Sequence, residues 1–152
     1  MLPTPRKFTM CAGAADGSSR LNAFDNALLQ AGIGNVNLVR VSSILPPGAL
    51  HVPDLQIPPG TLTPTAYGSI TSDVVEELIS AAVGIGISAD SFGVIMEYSG
   101  HCSRQDAENA VVQMVKDAFQ VRQMEPIEIL VKAVEHKVVD TGCAFAAVAL
   151  WY

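Results

Sequence analysis

Two adjacent serines, Ser42 and Ser43, sit in RVSSILPPGA, between a run with strand character and the prolines Pro46 and Pro47. A serine hydroxyl can attack the carbonyl of the residue before it and turn that amide into an ester, given strain and a stabilised oxyanion. A stiff strand on one side and a proline-rich exit on the other could hold a peptide bond for that attack. The ester can then eliminate, because its acyloxy group is a good β-leaving group. Elimination frees a carboxylate at Ser42 and leaves dehydroalanine at position 43. Hydration and loss of ammonia convert this to a ketone joined to an amide. By itself the pair reads first as an ordinary turn, since serine pairs are common.

Two carboxylates come next. Glu97 is alone among large apolar residues in GVIMEYSG. Burial there would raise its pKa and let it hold a proton near neutrality, as a general acid must. An edge strand would instead leave it in water. Asp25 lies mid-helix between Phe24 and Leu28. It could grip a cation such as a guanidinium, or simply be solvated. His51, His101 and His136 share no metal-ligand spacing and read as structural or surface residues, so no metal is expected. Arg40 and Glu135 could pair within a sheet. The Gly-x-Gly of AGIGNVN leaves a helix and enters a strand, the wrong order for a dinucleotide loop.

These residues need elements to position them. KFTMCAG (7–13) reads as a short strand and AADGSS (14–19) as a loop. In RLNAFDNALLQAG (20–32), Leu21, Phe24, Leu28 and Leu29 fall at helical spacing, and Gly32 is a natural stop. NVNLVRVSSIL (35–45) alternates as a strand, with Val36, Leu38 and Arg40 on one face. Residues 46–60 hold five prolines and two glycines and form a loop that cannot join a sheet interior. Residues 61–72 are β-rich. Residues 73–88 are ambiguous and lean to strand through the tail VGIGI. Residues 92–100 read as a strand with Ile95, Glu97 and Ser99 on one face. The clearest helix is 103–122, opened by Ser103 with Asp106 in the manner of a capping box. Two strands, 127–139 and 143–152, close the chain. Two helices amid six or seven strands predict an α+β layered sandwich, a single domain over 1–152.

Composition narrows the function classes. A chain of 152 residues can bury about two-thirds of its unfolded surface and needs no disulfide or metal to fold. Charged residues are 16% and hydrophobic ones 49%, a thinly charged surface that suits a homo-oligomer. The net charge of −6 and the lack of a basic stripe argue against nucleic acid. Cys11, Cys102 and Cys143 form neither a disulfide framework nor a zinc pattern. The N-terminus lacks a signal-peptide core, and GCAFAAVALWY is too short to span a bilayer. A cytoplasmic protein with reduced thiols, away from membranes, is the expectation.

Several long blocks, in order, resemble one family. LNAFDNALLQAGIGNVNLVRVSSILPPGA (21–49) is similar to the cleavage-site signature of the pyruvoyl-dependent arginine decarboxylases. PTAYG (64–68), GVIMEYSGHCS (93–103), AVEH (133–136) and GCAFAAVALWY (142–152) resemble its later blocks. Segment 76–92 is less similar, and Ser99 and His101 are positions where variation is expected.

The resemblance implies self-cleavage between Ser42 and Ser43. Residues 1–42 become a β chain and residues 43–152 an α chain that begins with a pyruvoyl group made from Ser43. Asn37 would assist processing by hydrogen-bonding the oxyanion. The fold would be an αββα sandwich with mostly antiparallel sheets, assembled as a trimer of αβ units with active sites between subunits. The pyruvoyl ketone, as covalent cofactor, would form a Schiff base with L-arginine, and agmatine and carbon dioxide would result. Glu97 would donate the proton to Cα. Asp25 would hold the guanidinium, with Leu21, Gly34, Val36, Ile95 and the freed Ser42 carboxylate completing the substrate site. Other readings remain open: a pyruvoyl decarboxylase of lysine or ornithine, an N-terminal-nucleophile hydrolase that keeps a free Ser43, or a non-catalytic oligomeric binding protein.

Overall fold

Two amphipathic stretches become helices in the computed structural model, which describes residues 1–152. Helix α1 spans Arg20–Ala31 and helix α2 spans Arg104–Val121. Each begins at a serine whose hydroxyl accepts a backbone N–H three residues on: Ser19 from Asn22 and Ser103 from Asp106, both at 3.1 Å. Gly32 ends α1 with φ at 86°, a left-handed conformation that costs glycine little.

The strands are β1 (Lys7–Asp16), β2 (Asn37–Arg40), β3 (Ile44–Leu45), β4 (Leu50–His51), β5 (Leu62–Ser72), β6 (Leu78–Ile87), β7 (Gly93–Gly100), β8 (Glu128–Lys137) and β9 (Gly142–Trp151). They build a five-stranded sheet in the order β2-β5-β9-β1-β4 and a four-stranded sheet in the order β3-β7-β6-β8. Long neighbours pair antiparallel; the short edge strands β2 and β4 run parallel to β5 and β1. Helix α1 packs on the outer face of the larger sheet, and α2 on the outer face of the smaller. The result is the expected αββα sandwich, of the α+β class.

The apolar core lies where the sheets face each other, with Phe8, Ile79, Ile85, Ile95 and Val148 among its members. Strand β9 explains its own composition. Ala144, Ala146 and Val148 face the opposite sheet, while Cys143, Phe145 and Ala147 face α1. A strand covered on both faces must be apolar throughout, and small side chains let both layers approach. Phe145 anchors the outer layer, edge-on to Phe24 at 5.8 Å between ring centroids and tilted against Tyr67 at 5.4 Å.

Several expectations change. Residues 14–16, read as loop, continue β1, because each pairs with β9 as far as Asp16 opposite Gly142. The ambiguous 73–88 is strand only from Leu78; before it the chain turns, with Glu76 at φ 73°. The strand count is nine because β3 and β4, of two residues each, escape any pattern-based reading. The largest departure is at 35–45. This is not one strand but two, β2 in the larger sheet and β3 in the smaller, with Val41, Ser42 and Ser43 between them. Arg40 and Glu135 do not pair: Arg40 lies over Tyr67, and Glu135 accepts the Arg104 N–H.

Two substitutions separate core from cap. Phe145→Ala is expected to cost about 3–5 kcal/mol and Ser103→Ala about 1 kcal/mol in chemical denaturation. Equal losses would refute the layered account of Phe145.

Candidate active site

The crossing from one sheet to the other is held at both ends. Backbone N–H groups of Asn37 and Val41 donate to the carbonyls of Thr61 and Thr65 at 2.9 and 3.1 Å, which ties β2 to β5. Beyond the crossing, the Ser43 carbonyl accepts the Ile95 N–H at 2.7 Å. No backbone hydrogen bond involves Ser42 or the Ser43 N–H. Stacked sheets lie about 10 Å apart, and four residue steps reach at most about 14 Å, so Arg40 to Ile44 is long enough to span the gap. Ser42 is exposed and Ser43 half-buried.

Strand β7 brings the acid to this place. Ile44 pairs with Val94 and Leu45 with Gly93. One step further along this register sets Ser43 opposite Ile95, two residues from Glu97. Ile95 is in the core between the sheets. Glu97 shares its face and lies against Gly68 of β5, where an added Cβ would stand 3.3 Å from that of Glu97. The Glu97 Oε2 is buried with no hydrogen-bond partner. Burial pushes the carboxyl above its ordinary range, and the nearby Arg40 charge partly opposes this.

Arg40 closes the edge that β2 leaves open. Its guanidinium stacks 4.4 Å from the Tyr67 ring centroid and donates to the Tyr67 carbonyl at 2.7 Å. Neither Arg40 nor Tyr67 is singled out by the sequence as part of a site. The alternation that sets Arg40 beside Val36 and Leu38 was the available signal, since those two and Tyr67 pack against the same α1-facing cluster.

The remaining expected site residues form a second group. Leu21 and Asp25 lie exposed on α1, Leu21 at 76%. Gly34 follows the helix, packed so closely on Leu29 that a Cβ would meet that side chain at 2.5 Å. Val36 packs in the α1 layer. Asn37, in β2, donates its amide to the Gly60 carbonyl at 2.9 Å. Ser42, Ser43, Ile95 and Glu97 are thus brought together, whereas Leu21, Asp25 and Val36 stand on the opposite side of the larger sheet.

Other reactive side chains are occupied. Burial pushes the Cys11 thiol up to about 12 against the pull of Lys132, and raises Cys143 also, so neither supplies a thiolate. His136 meets Asp16 at 2.8 Å, His101 meets Glu77 at 2.6 Å, and His51 stacks on Phe8. No helix is long and apolar enough to cross a membrane.

Fold and site together define an αββα protein in which an unpaired serine peptide, a hydroxyl and a buried acid meet where the chain changes sheets. The chain belongs to the pyruvoyl-dependent arginine decarboxylase family, whose model matches residues 7–152. Relatives named pyruvoyl-dependent arginine decarboxylase include one from Methanocaldococcus jannaschii, 53% identical over 97% of this chain and 91% of its own length. Another, from Methanococcus aeolicus, is 49% identical over the same shares. A third, from Pyrococcus furiosus, is 45% identical over 98% of this chain and 96% of its own.

A raised carboxyl pKa makes Glu97 a pH-dependent element of stability. The folded chain holds this proton more tightly than the unfolded chain. Its contribution is therefore present below the ordinary carboxylate range and lost as pH rises through the raised folded value. Melting temperatures of Glu97→Gln and wild type, followed upward from mildly acid pH, should diverge in favour of the variant. A constant difference would contradict the burial of Glu97.

Proposed function

We propose that this chain cleaves itself between Ser42 and Ser43 and, with the pyruvoyl group so formed, decarboxylates L-arginine to agmatine and carbon dioxide. The observation that carries the reading is the half-buried Glu97, whose Oε2 is buried and unpartnered, two residues from the Ile95 whose N–H donates to the Ser43 carbonyl. An orphaned acid is costly unless something occupies its site, and a ketone-bearing residue at position 43 with a bound amino acid would.

Processing balances within the chain. The Ser43 Oγ attacks the Ser42 carbonyl carbon; the C–O bond forms, the C–N bond breaks, and the nitrogen gains a proton. A base removes the Ser43 Cα proton, the Cβ–O bond breaks, and the Ser42 carboxylate leaves with the electron pair. Water then replaces the nitrogen, released as ammonia, and the products are chains 1–42 and 43–152. Asn37 is assigned to the oxyanion. One of its two amide N–H groups donates to Gly60, which leaves the other free to donate.

When present at position 43, a pyruvoyl group supplies an electrophilic carbonyl and a sink for the electron pair left as carbon dioxide departs. The chain supplies the rest. Asp25 binds the guanidinium, with Leu21, Gly34 and Val36 around the substrate. Ile95 and the freed Ser42 carboxylate flank the reacting end. Glu97, which burial shifts toward its protonated form, delivers the proton to Cα. Because Asp25 and Glu97 stand on opposite sides of one sheet, one subunit's Asp25 completes its neighbour's site. That calls for an oligomer, in our reading a homotrimer of αβ units. Leu21, and Leu62 at 68% exposure, offer apolar surface for it.

A denaturing intact-mass spectrum tests processing. Two species split at 42/43 are expected, the larger lighter by one ammonia than simple hydrolysis requires. Ser43→Ala is expected to stay one intact, inactive chain. Fragments without the ammonia deficit would favour a hydrolase, and a persistently uncut wild type would remove the reading. Glu97→Gln is expected to process yet turn over L-arginine about 10²-fold more slowly or worse. Near-normal turnover would exclude Glu97 as the acid. Lysine and ornithine, assayed beside arginine, decide the substrate.

A further inference from the structure

The break between β2 and β3 has a specific local cause. Along β5 the carbonyls of Thr61 and Thr65 accept the N–H groups of Asn37 and Val41. This parallel ladder advances two residues at a time, so the next bond would run from the Ser43 N–H to the Tyr67 carbonyl. That bond is not made. The Tyr67 carbonyl is taken by the Arg40 guanidinium at 2.7 Å, and the same guanidinium rests on the Tyr67 ring. Ser43 instead gives its carbonyl to the Ile95 N–H in the other sheet.

Resting on the processing reading above, we infer that Arg40 is a positioning residue for self-cleavage. By filling the Tyr67 carbonyl, it keeps the Ser42–Ser43 peptide out of the sheet.

The chemistry explains why this matters. Attack of the Ser43 Oγ on the Ser42 carbonyl closes a five-membered ring through the Ser43 nitrogen, Cα and Cβ. The nitrogen must leave the amide plane and take up a proton as the C–N bond breaks. An N–H donated into a β-ladder resists both changes, because the ladder holds the amide planar and the backbone extended. A guanidinium is well suited to the blocking role, since it is permanently charged, donates in a plane and stacks on an aromatic ring. It also makes a charge-assisted bond stronger than the backbone bond it replaces. Processing does not remove Arg40, which stays on the fragment ending at Ser42.

The test follows cleavage of freshly synthesised full-length chains by intact mass, with folding monitored by circular dichroism and melting temperature. Arg40→Ala is expected to slow cleavage about tenfold or more, the order of one charge-assisted hydrogen bond, with the fold retained. Should the alanine variant fail to fold, Arg40→Met carries the same expectation, because its aliphatic chain still covers the Tyr67 ring. Arg40→Lys, which keeps one donor for the carbonyl, should be intermediate. Low-millimolar guanidinium chloride should accelerate Arg40→Ala, whereas equal sodium chloride should not. A purely structural role would give no such rescue. Wild type that cleaves while Arg40→Ala or Arg40→Met cleaves at the same rate overturns the positioning role alone. Wild type that never cleaves overturns the processing reading and this inference together.

Discussion

The structure depends on how three residues cross the gap between two β-sheets. Val41 is bound to β5 and Ser43 to β7, and Ser42 between them is bound to neither backbone. The crossing fixes β2 as the open edge of one sheet and β3 as the edge of the other. It also places a peptide bond flanked by two serines where no ladder protects it. In a sandwich whose backbone groups are otherwise largely consumed by long antiparallel pairs, an unpaired peptide is an exception. Here it is flanked by anchors on both sides, so it is accessible without being loose.

Glu97 owes its properties to the same architecture. Strand alternation turns it toward the opposite sheet, where Gly68 leaves room for the carboxyl and offers it no partner. Burial favours the neutral form, and Arg40 at the sheet edge limits the effect. The proton-donor role proposed for Glu97 calls for such a balance, because a carboxyl held too firmly neutral is a poor donor. Arg40 thus has two neighbours of consequence: the Tyr67 carbonyl it binds and the Glu97 charge it moderates.

The outer layers do different work. Helix α1 covers the larger sheet through Ala23, Ala27 and Leu28 and leaves Leu21, Asp25 and Leu29 outward. Helix α2 covers the smaller sheet and carries none of the proposed site residues. The exposed apolar side chains of α1 and of the β2–β5 edge are the surface on which the proposed oligomer rests.

Much of this was legible in the sequence. The helices follow from apolar spacing and serine caps, which act within a few residues. The run 143–152 reads as a strand, and its place at the centre of a sheet, covered on both faces, comes from the structure. Ser42, Ser43 and Glu97 stand out by residue type, and the family is carried by ordered blocks along nearly the whole chain. Alternation also places Arg40 with Val36 and Leu38 and Glu97 with Ile95. What alternation cannot report is which sheet a residue joins. The serine pair at 42–43 interrupts the alternation of 35–45 and reads as a turn, but a turn does not report that the chain leaves one sheet for the other. At that change a guanidinium meets a carbonyl 27 residues away in sequence, and an amide of β7 meets Ser43. The sequence by itself determined the reactive groups and the elements that carry them. Only the tertiary structure decided that the serine peptide stands unpaired beside a buried acid, because hydrogen bonds between distant strands exist only once the sheets have packed.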